Sequence, residues 1–473
     1  MAESKKLDQE WLIRPTGDPF VDAGGYVIEY LQKKFPEKDI FQLIEYITKI
    51  YVEKWGGKLN AFFLNSKITQ PAFQGERKTE ETLKYFEALI NESEPSEFGY
   101  CRFTGRETML FFGGRDNSIM TGSGTLINFH HFFQKGISLS KEALIRIHFV
   151  PFACQQLQGK ISFVQSSNVE ITKLFVKLTI EKNLHELSIG VSEGIAKSSF
   201  NKPANAIFDF IDHVFSKLWD FGEVSTVPSL TLYHFTNFGA SPEIQMYQLP
   251  AKVFLFYRTC LQPRFKDDWQ KFVRSHYFDA KHKGAKYNLQ SEKFEFAKSK
   301  ETDIIDQNYY KQWFNLILNK LLINENIRPE FLRWSRKHPF NLEIVSIYQQ
   351  KIIGMKKETI NKIKELAEFL VREGDADKIK KRIKALDGAK NASNLRRFIL
   401  KDIVAANYLA GNNNSIVSVE DYVNYLFPDG SYWAEIRDIL LIAIYQELHD
   451  KGLISEELNV ELESEIEEVY TNE

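Results

Sequence analysis

Cysteine is scarce, with only Cys101, Cys154 and Cys260 in 473 residues, an odd number placed far apart. Neither a disulfide framework nor a complete four-cysteine zinc site can be assembled from them, so a reducing cytoplasm is the expected compartment. Long apolar runs are missing as well. The longest, Ile439 to Tyr445, falls far short of the roughly 18 to 20 residues that cross a bilayer, and the opening Met1-Ala2-Glu3-Ser4-Lys5-Lys6 has no apolar signal core. No membrane partner is expected. The sequence lacks a Gly-x-x-x-x-Gly-Lys-Ser/Thr loop, a His-Glu-x-x-His pair and a Gly-x-Ser-x-Gly elbow, which argues against P-loop, zincin and hydrolase-elbow chemistry. No carboxylate spacing singles out a Mg2+ site. His130-His131 is the only adjacent histidine pair, and neighbouring side chains diverge too far for one metal ion to take both readily. No cofactor and no metal are expected.

What is present is ordinary globular composition, with 43% apolar and 26% charged residues, so the chain folds. At roughly 150 residues per domain it is long enough for two or three domains. Aromatic side chains reach 14%, more than the core needs if aliphatics fill most of it, which points some rings toward interfaces.

A net charge of −2 conceals strong segregation. Residues 257–300 carry 11 Lys and Arg against 5 Asp and Glu, residues 355–401 carry 14 against 7, and residues 402–473 carry 2 against 16. Basic stretches in a near-neutral protein suit a nucleic-acid surface, and the plain alternative is solvated helix faces.

Residues 1–340 read as a mixed α and β domain. Asp22 is placed to cap one helix and Asp39 a second. Strands are expected at Leu59 to Leu64, Ile161 to Gln165, Leu187 to Val191 and Ser229 to Phe235, with helices at Asn168 to Asn183 and Ala204 to Trp219. Residues 341–473 read as a bundle of four or five helices, with Asp377, Ser393 and Ser418 as caps and apolar stripes such as Ile360, Ile363, Ala367 and Leu370. The class is α+β, an irregular mixed domain followed by a helical bundle.

One segment stands above this background. Residues 113–128, Gly-Gly-Arg-Asp-Asn-Ser-Ile-Met-Thr-Gly-Ser-Gly-Thr-Leu-Ile-Asn, combine four glycines with Arg115, Asn117, Ser118, Thr121, Ser123 and Asn128. Glycine lets the backbone approach a ligand closely, and these side chains offer donors and acceptors to a nucleic-acid groove. A glycine-rich surface loop is the alternative.

The segment Thr16-Gly17-Asp18-Pro19-Phe20-Val21-Asp22-Ala23-Gly24-Gly25 resembles the opening motif of the large subunit of type I-B CRISPR surveillance complexes (Cascade). Many members carry paired cysteines around a Gly/Ser/Asn stretch. Here Cys101-Arg102-Phe103-Thr104-Gly105, Gly122 to Asn128 and Gly136-Ile137-Ser138-Leu139-Ser140 resemble that frame with most thiols replaced, which implies a degenerate zinc-ribbon-like element packed without metal, or only its loop. The resemblance implies a non-catalytic subunit that binds the guide RNA 5′ handle end, reads the PAM in duplex DNA, assists unwinding and R-loop formation, and has a C-terminal part similar to the small subunit lining the displaced single strand. Its implied partners are guide CRISPR RNA, duplex target DNA and the displaced strand, the backbone, handle-binding and small subunits, and a recruited helicase-nuclease or transposition factor in a prokaryotic cytoplasm.

On that reading PAM contacts fall to Arg115, Asn117, Ser118, Thr121, Ser123 and Asn128. DNA-backbone contacts fall to Lys281, Lys283, Lys286, Lys380, Lys381, Lys384, Arg396 and Arg397. Met355 lies just before the bundle and would start a separate C-terminal product. Two other readings stay open: a metal-dependent nuclease with an unrecognised carboxylate site, and a protein scaffold without nucleic-acid contact.

Overall fold

A computed structural model describes residues 7–121, 136–218, 228–238, 243–278, 285–296, 308–372, 375–427 and 432–454. The chain divides into two compact units, Met1–Pro250 with Asn308–Phe314, and Ala251–Gln307 with Asn315–Glu473. The change to helices only near residue 340 lies inside the second unit.

The first unit runs α1 (Gln9–Ile13), α2 (Pro19–Lys34), α3 (Ile40–Lys49), α4 (Glu76–Ile90), β1 (Glu97–Tyr100), β2 (Glu107–Gly113), β3 (Ile137–Ser140) and α5 (Lys141–Phe149). It continues with β4 (Gln155–Leu157), β5 (Lys160–Ser166), α6 (Val169–Ser188), α7 (Pro203–Leu218), β6 (Leu230–Thr236) and β7 (Glu243–Leu249). Two antiparallel sheets result, β1-β2-β3 and β4-β5-β6-β7. The class is α+β without a βαβ series.

The cap of α2 is Asp18, whose carboxylate accepts from the amides of Phe20 and Val21 at 3.0 and 2.8 Å, and Pro19 opens the helix. Asp22, expected as the cap, lies one turn inside. Its carboxylate accepts instead from the Thr16 amide and hydroxyl, both at 2.8 Å, and from the Gly17 amide at 3.0 Å. It also meets Nη2 of the fully buried Arg146 on α5 at 2.8 Å. Arg146 gives its remaining donors to the carbonyls of Val21, Trp11 and Arg14 at 2.8, 3.2 and 2.7 Å. The glycine pair of this motif makes the seat: a Cβ on Gly24 would stand 1.9 Å from the Arg146 carbonyl oxygen, and one on Gly25 would stand 2.8 Å from Nη2. The 16–25 segment is therefore a helix-packing lock, with every charged group inside it partnered.

Two strand expectations fail. Residues 59–64 form turns, because Leu59, Phe62 and Phe63 are buried from an irregular segment whose carbonyls are satisfied by Thr69 and Asn237. Leu187 belongs to the last turn of α6, and Val191 is exposed beyond it. The zinc-ribbon-like element also finds no support. Cys101 is buried in the tight connection between β1 and β2, where its amide and carbonyl bond Arg106 and Gly105 at 2.9 and 2.8 Å. Among the described residues no group of three or more His, Cys, Asp or Glu is placed to hold a metal ion.

The second unit begins with α8 (Ala251–Cys260), α9 (Pro263–Ser275), β8 (Tyr277–Phe278), β9 (Ala285–Asn288) and β10 (Lys293–Phe296). Helices then take over: α10 (Leu316–Leu322), α11 (Arg328–Lys337), α12 (Leu342–Tyr348), α13 (Lys357–Arg372), α14 (Ala376–Asp387), α15 (Ala392–Phe398), α16 (Ala406–Leu409), α17 (Val419–Asp421) and α18 (Trp433–Asp450). The apolar stripe of α13, Ile363, Leu366, Ala367 and Leu370, packs with Ile383, Leu395, Ile399 and the apolar run of α18 into one core. The caps of α14 and α15 are Asp375 and Asn391, each two residues before the side chains expected from sequence, while Ser418 caps α17 with a complete capping box. Among the described residues no helix is long and apolar enough to cross a membrane.

Candidate nucleic-acid interface

The glycine-rich segment leaves β2 at Gly113. Gly136 must be glycine, because a Cβ there would lie 2.3 Å from the Gly113 carbonyl oxygen. Asn117 is the hub of the turn: its Oδ1 accepts from the Gly114 amide at 2.7 Å, and its Nδ2 donates to the Tyr85 hydroxyl at 2.8 Å and the Phe112 carbonyl at 3.1 Å. Arg115 is 8% exposed, and its Nη2 donates to the Asn237 carbonyl at 2.9 Å while its own carbonyl accepts from Leu64 at 2.8 Å. Ser118 is fully buried, and the buried Thr121 donates to the Ser118 carbonyl at 3.2 Å. The groove contacts expected of Arg115, Asn117, Ser118 and Thr121 do not match this placement. The polar atoms of Arg115, Ser118 and Thr121 face inward and those of the half-buried Asn117 are spent on the turn and on Tyr85, because an irregular loop packed on a core must satisfy its own backbone. Ser123, Asn128 and the His130-His131 pair lie outside the described residues.

Asp116 and Asn117 form one wall of a cavity of about 100 Å³ between α4, α5 and the 63–70 turn. Its inner wall is aromatic: Phe86 and Phe63 have ring centroids 4.6 and 6.5 Å from that of His148, and Tyr85 packs on Phe86 at 5.0 Å. His148 is buried, and its Nε2 stands 3.0 Å from the Thr48 hydroxyl. Loss of hydration lowers its pKa to about 3, so the ring is neutral near pH 7. At the cavity mouth the side chains of Asn65, Lys67 and Asp116 are exposed.

In the second unit Lys281 and Lys283 lie outside the described residues. Lys286 is exposed on β9, opposite Glu295 of β10. The α14 and α15 cations separate more sharply. Lys381, Lys384 and Arg397 are exposed and Lys380 is half-buried. Arg396 instead lays its guanidinium over the Phe427 ring, 5.0 Å from the centroid. Between them Arg382 turns inward to donate to the Leu370 carbonyl at 2.7 Å, closing the end of α13.

Sequence reading missed the exposed apolar side chains further along this stretch of the chain. Beyond Arg397, exposed Leu400 and Lys401 are followed by Tyr408 and Leu409, which are 63% and 88% exposed. The signal was readable as apolar positions left off the buried stripe of Leu395, Phe398, Ile399 and Ile403. Cations beside an exposed ring can bind phosphate and stack a base.

Residues 333–472 match the family model of the DevT C-terminal domain. The matched stretch contains the bundle from α12 to α18 and its charged face. No curated protein matches the chain.

Proposed function

We propose that this chain is the large subunit of a type I-B CRISPR RNA-guided surveillance complex, acting in the cytoplasm without a catalytic site of its own. The observation that carries the reading is the DevT C-terminal match over 333–472, a family associated with Cascade-type proteins, on a bundle that bears an exposed cationic and aromatic face. In this role the first unit binds the guide 5′ handle end and PAM duplex, and the α14–α16 face receives the displaced strand. Lysine and arginine there neutralise phosphate and release counterions, which favours unwinding at low salt. The carboxylates from Asp402 onward repel DNA and suit protein contacts or solvent. Cutting or transposition belongs to a recruited partner.

The test is reconstitution with guide RNA and the other subunits on plasmid carrying a matched target. An R-loop without strand breaks in Mg2+ is the expected product. Nicking abolished by one Asp or Glu substitution in this chain would replace the reading with a nuclease, and a complex that forms R-loops equally well without the chain would remove it.

A further inference from the structure

The cavity of the first unit has a shape and chemistry that phosphate contacts alone do not need. Its volume of about 100 Å³ is below the roughly 150 Å³ that encloses a benzene ring. At that size it cannot enclose even one six-membered ring, so a base would enter only part-way through the open mouth, and a fused pair has less room still. Phe63, Tyr85, Phe86 and His148 supply faces and edges for stacking. At the mouth, Asp116 is placed to accept from an exocyclic amine. Lys67 lines the mouth, and its Nζ shares the Phe73 ring with the guanidinium of the exposed Arg77, 5.2 and 5.3 Å from the centroid, with Asp116 near Lys67 and Glu81 near both. A phosphate beside the mouth would meet Lys67 first, with Arg77 reaching it from across the Phe73 ring.

We infer that this cavity takes the base of one unstacked pyrimidine nucleotide, with Lys67 and Arg77 holding its phosphate. The inference rests on the nucleic-acid reading above and adds a base-sized site to it. A guide RNA end and a DNA strand both present such a nucleotide, and the two sources are separable by experiment.

The full chain is titrated with short single-stranded RNA and DNA oligonucleotides, each carrying a single 5-(2-furyl)cytosine, whose pyrimidine is unfused and keeps its exocyclic amine, following anisotropy for binding and fluorescence quenching for stacking. Quenching is expected in the arm that supplies the nucleotide. Plugging the mouth with Asn65→Trp, at an exposed position, should weaken the quenched state by about tenfold, as loss of one base–aromatic stack does. It should leave most of the anisotropy change in place. Lys67→Ala with Arg77→Ala should weaken the same state, and free CMP should compete where AMP does not.

Binding of either strand with quenching indifferent to Asn65→Trp overturns the pocket and leaves the proposed function standing. Equal competition by AMP and CMP overturns the pyrimidine assignment. Saturable CMP binding lost in Asn65→Trp, with no oligonucleotide bound, would uphold the pocket and count against the wider reading.

Discussion

Replacing Gly24 by alanine tests the lock at the heart of the first unit. The new Cβ would stand 1.9 Å from the Arg146 carbonyl oxygen and 2.6 Å from its carbon, and both are backbone atoms of α5 that no rotamer change can move. Ordinary contact distance lies about 1.5 Å further out, so α2 and α5 must part by more than a hydrogen bond tolerates. Arg146 spans the two helices with bonds of 2.7 to 3.2 Å to α2 and the segment before it. Stretching them strands a fully buried guanidinium and the Asp22 carboxylate. Breaking a buried pair costs about 3 to 5 kcal/mol, offset by about 1 kcal/mol from the better helix propensity of alanine. A net loss of about 2 to 4 kcal/mol lowers the melting temperature of a unit this size by roughly 4 to 16 °C. Two units need not unfold together, so calorimetry should be paired with hydrogen exchange at the α2 amides. Gly17→Ala is the control: its φ is +89° with nothing within 4 Å of a Cβ, so only backbone strain of about 1 to 2 kcal/mol applies. A Gly24→Ala loss no larger than that of Gly17→Ala would refute the packing assignment.

Three further outcomes are expected. The buried His148, with a pKa of about 3, is neutral in both states above its unfolded value near 6.5. Below that value the unfolded chain binds a proton that the folded one refuses, so stability falls by up to about 1.4 kcal/mol per pH unit down to about pH 3. Replacing His148 by glutamine should flatten that slope in urea titrations, and an unchanged slope would sink the assignment. Charge reversal at Lys381, Lys384 and Arg397 should weaken R-loops of every sequence alike and flatten their salt dependence; selective loss for one PAM would point to base reading instead. Tyr408→Ala should destabilise a bound single strand by about 1 to 3 kcal/mol in filter binding at high salt, where phosphate contacts fade, and no change there would mean that the ring stacks on no base.

The sequence by itself determined the class of this protein and much of its helical half. Apolar residues at three- and four-residue spacing, as in Ile363, Leu366, Ala367 and Leu370, bury only as helices, and caps such as Asp39 and Ser418 act through amides two or three residues away. The segregation of lysine from glutamate was equally legible, because charge needs no fold to be counted. Tertiary structure alone decided what the polar residues do. Asp22 reads as a cap until Arg146, far along the chain, claims its carboxylate. Arg115 and Ser118 read as groove contacts until the 59–70 turns and Asn237 bury them. Leu59 to Leu64 reads as a strand until side-chain donors satisfy an irregular backbone there. The aromatic cavity was invisible for the same reason. Its walls come from four separate stretches between Phe63 and His148, and local spacing carries no record of which distant side chains will meet.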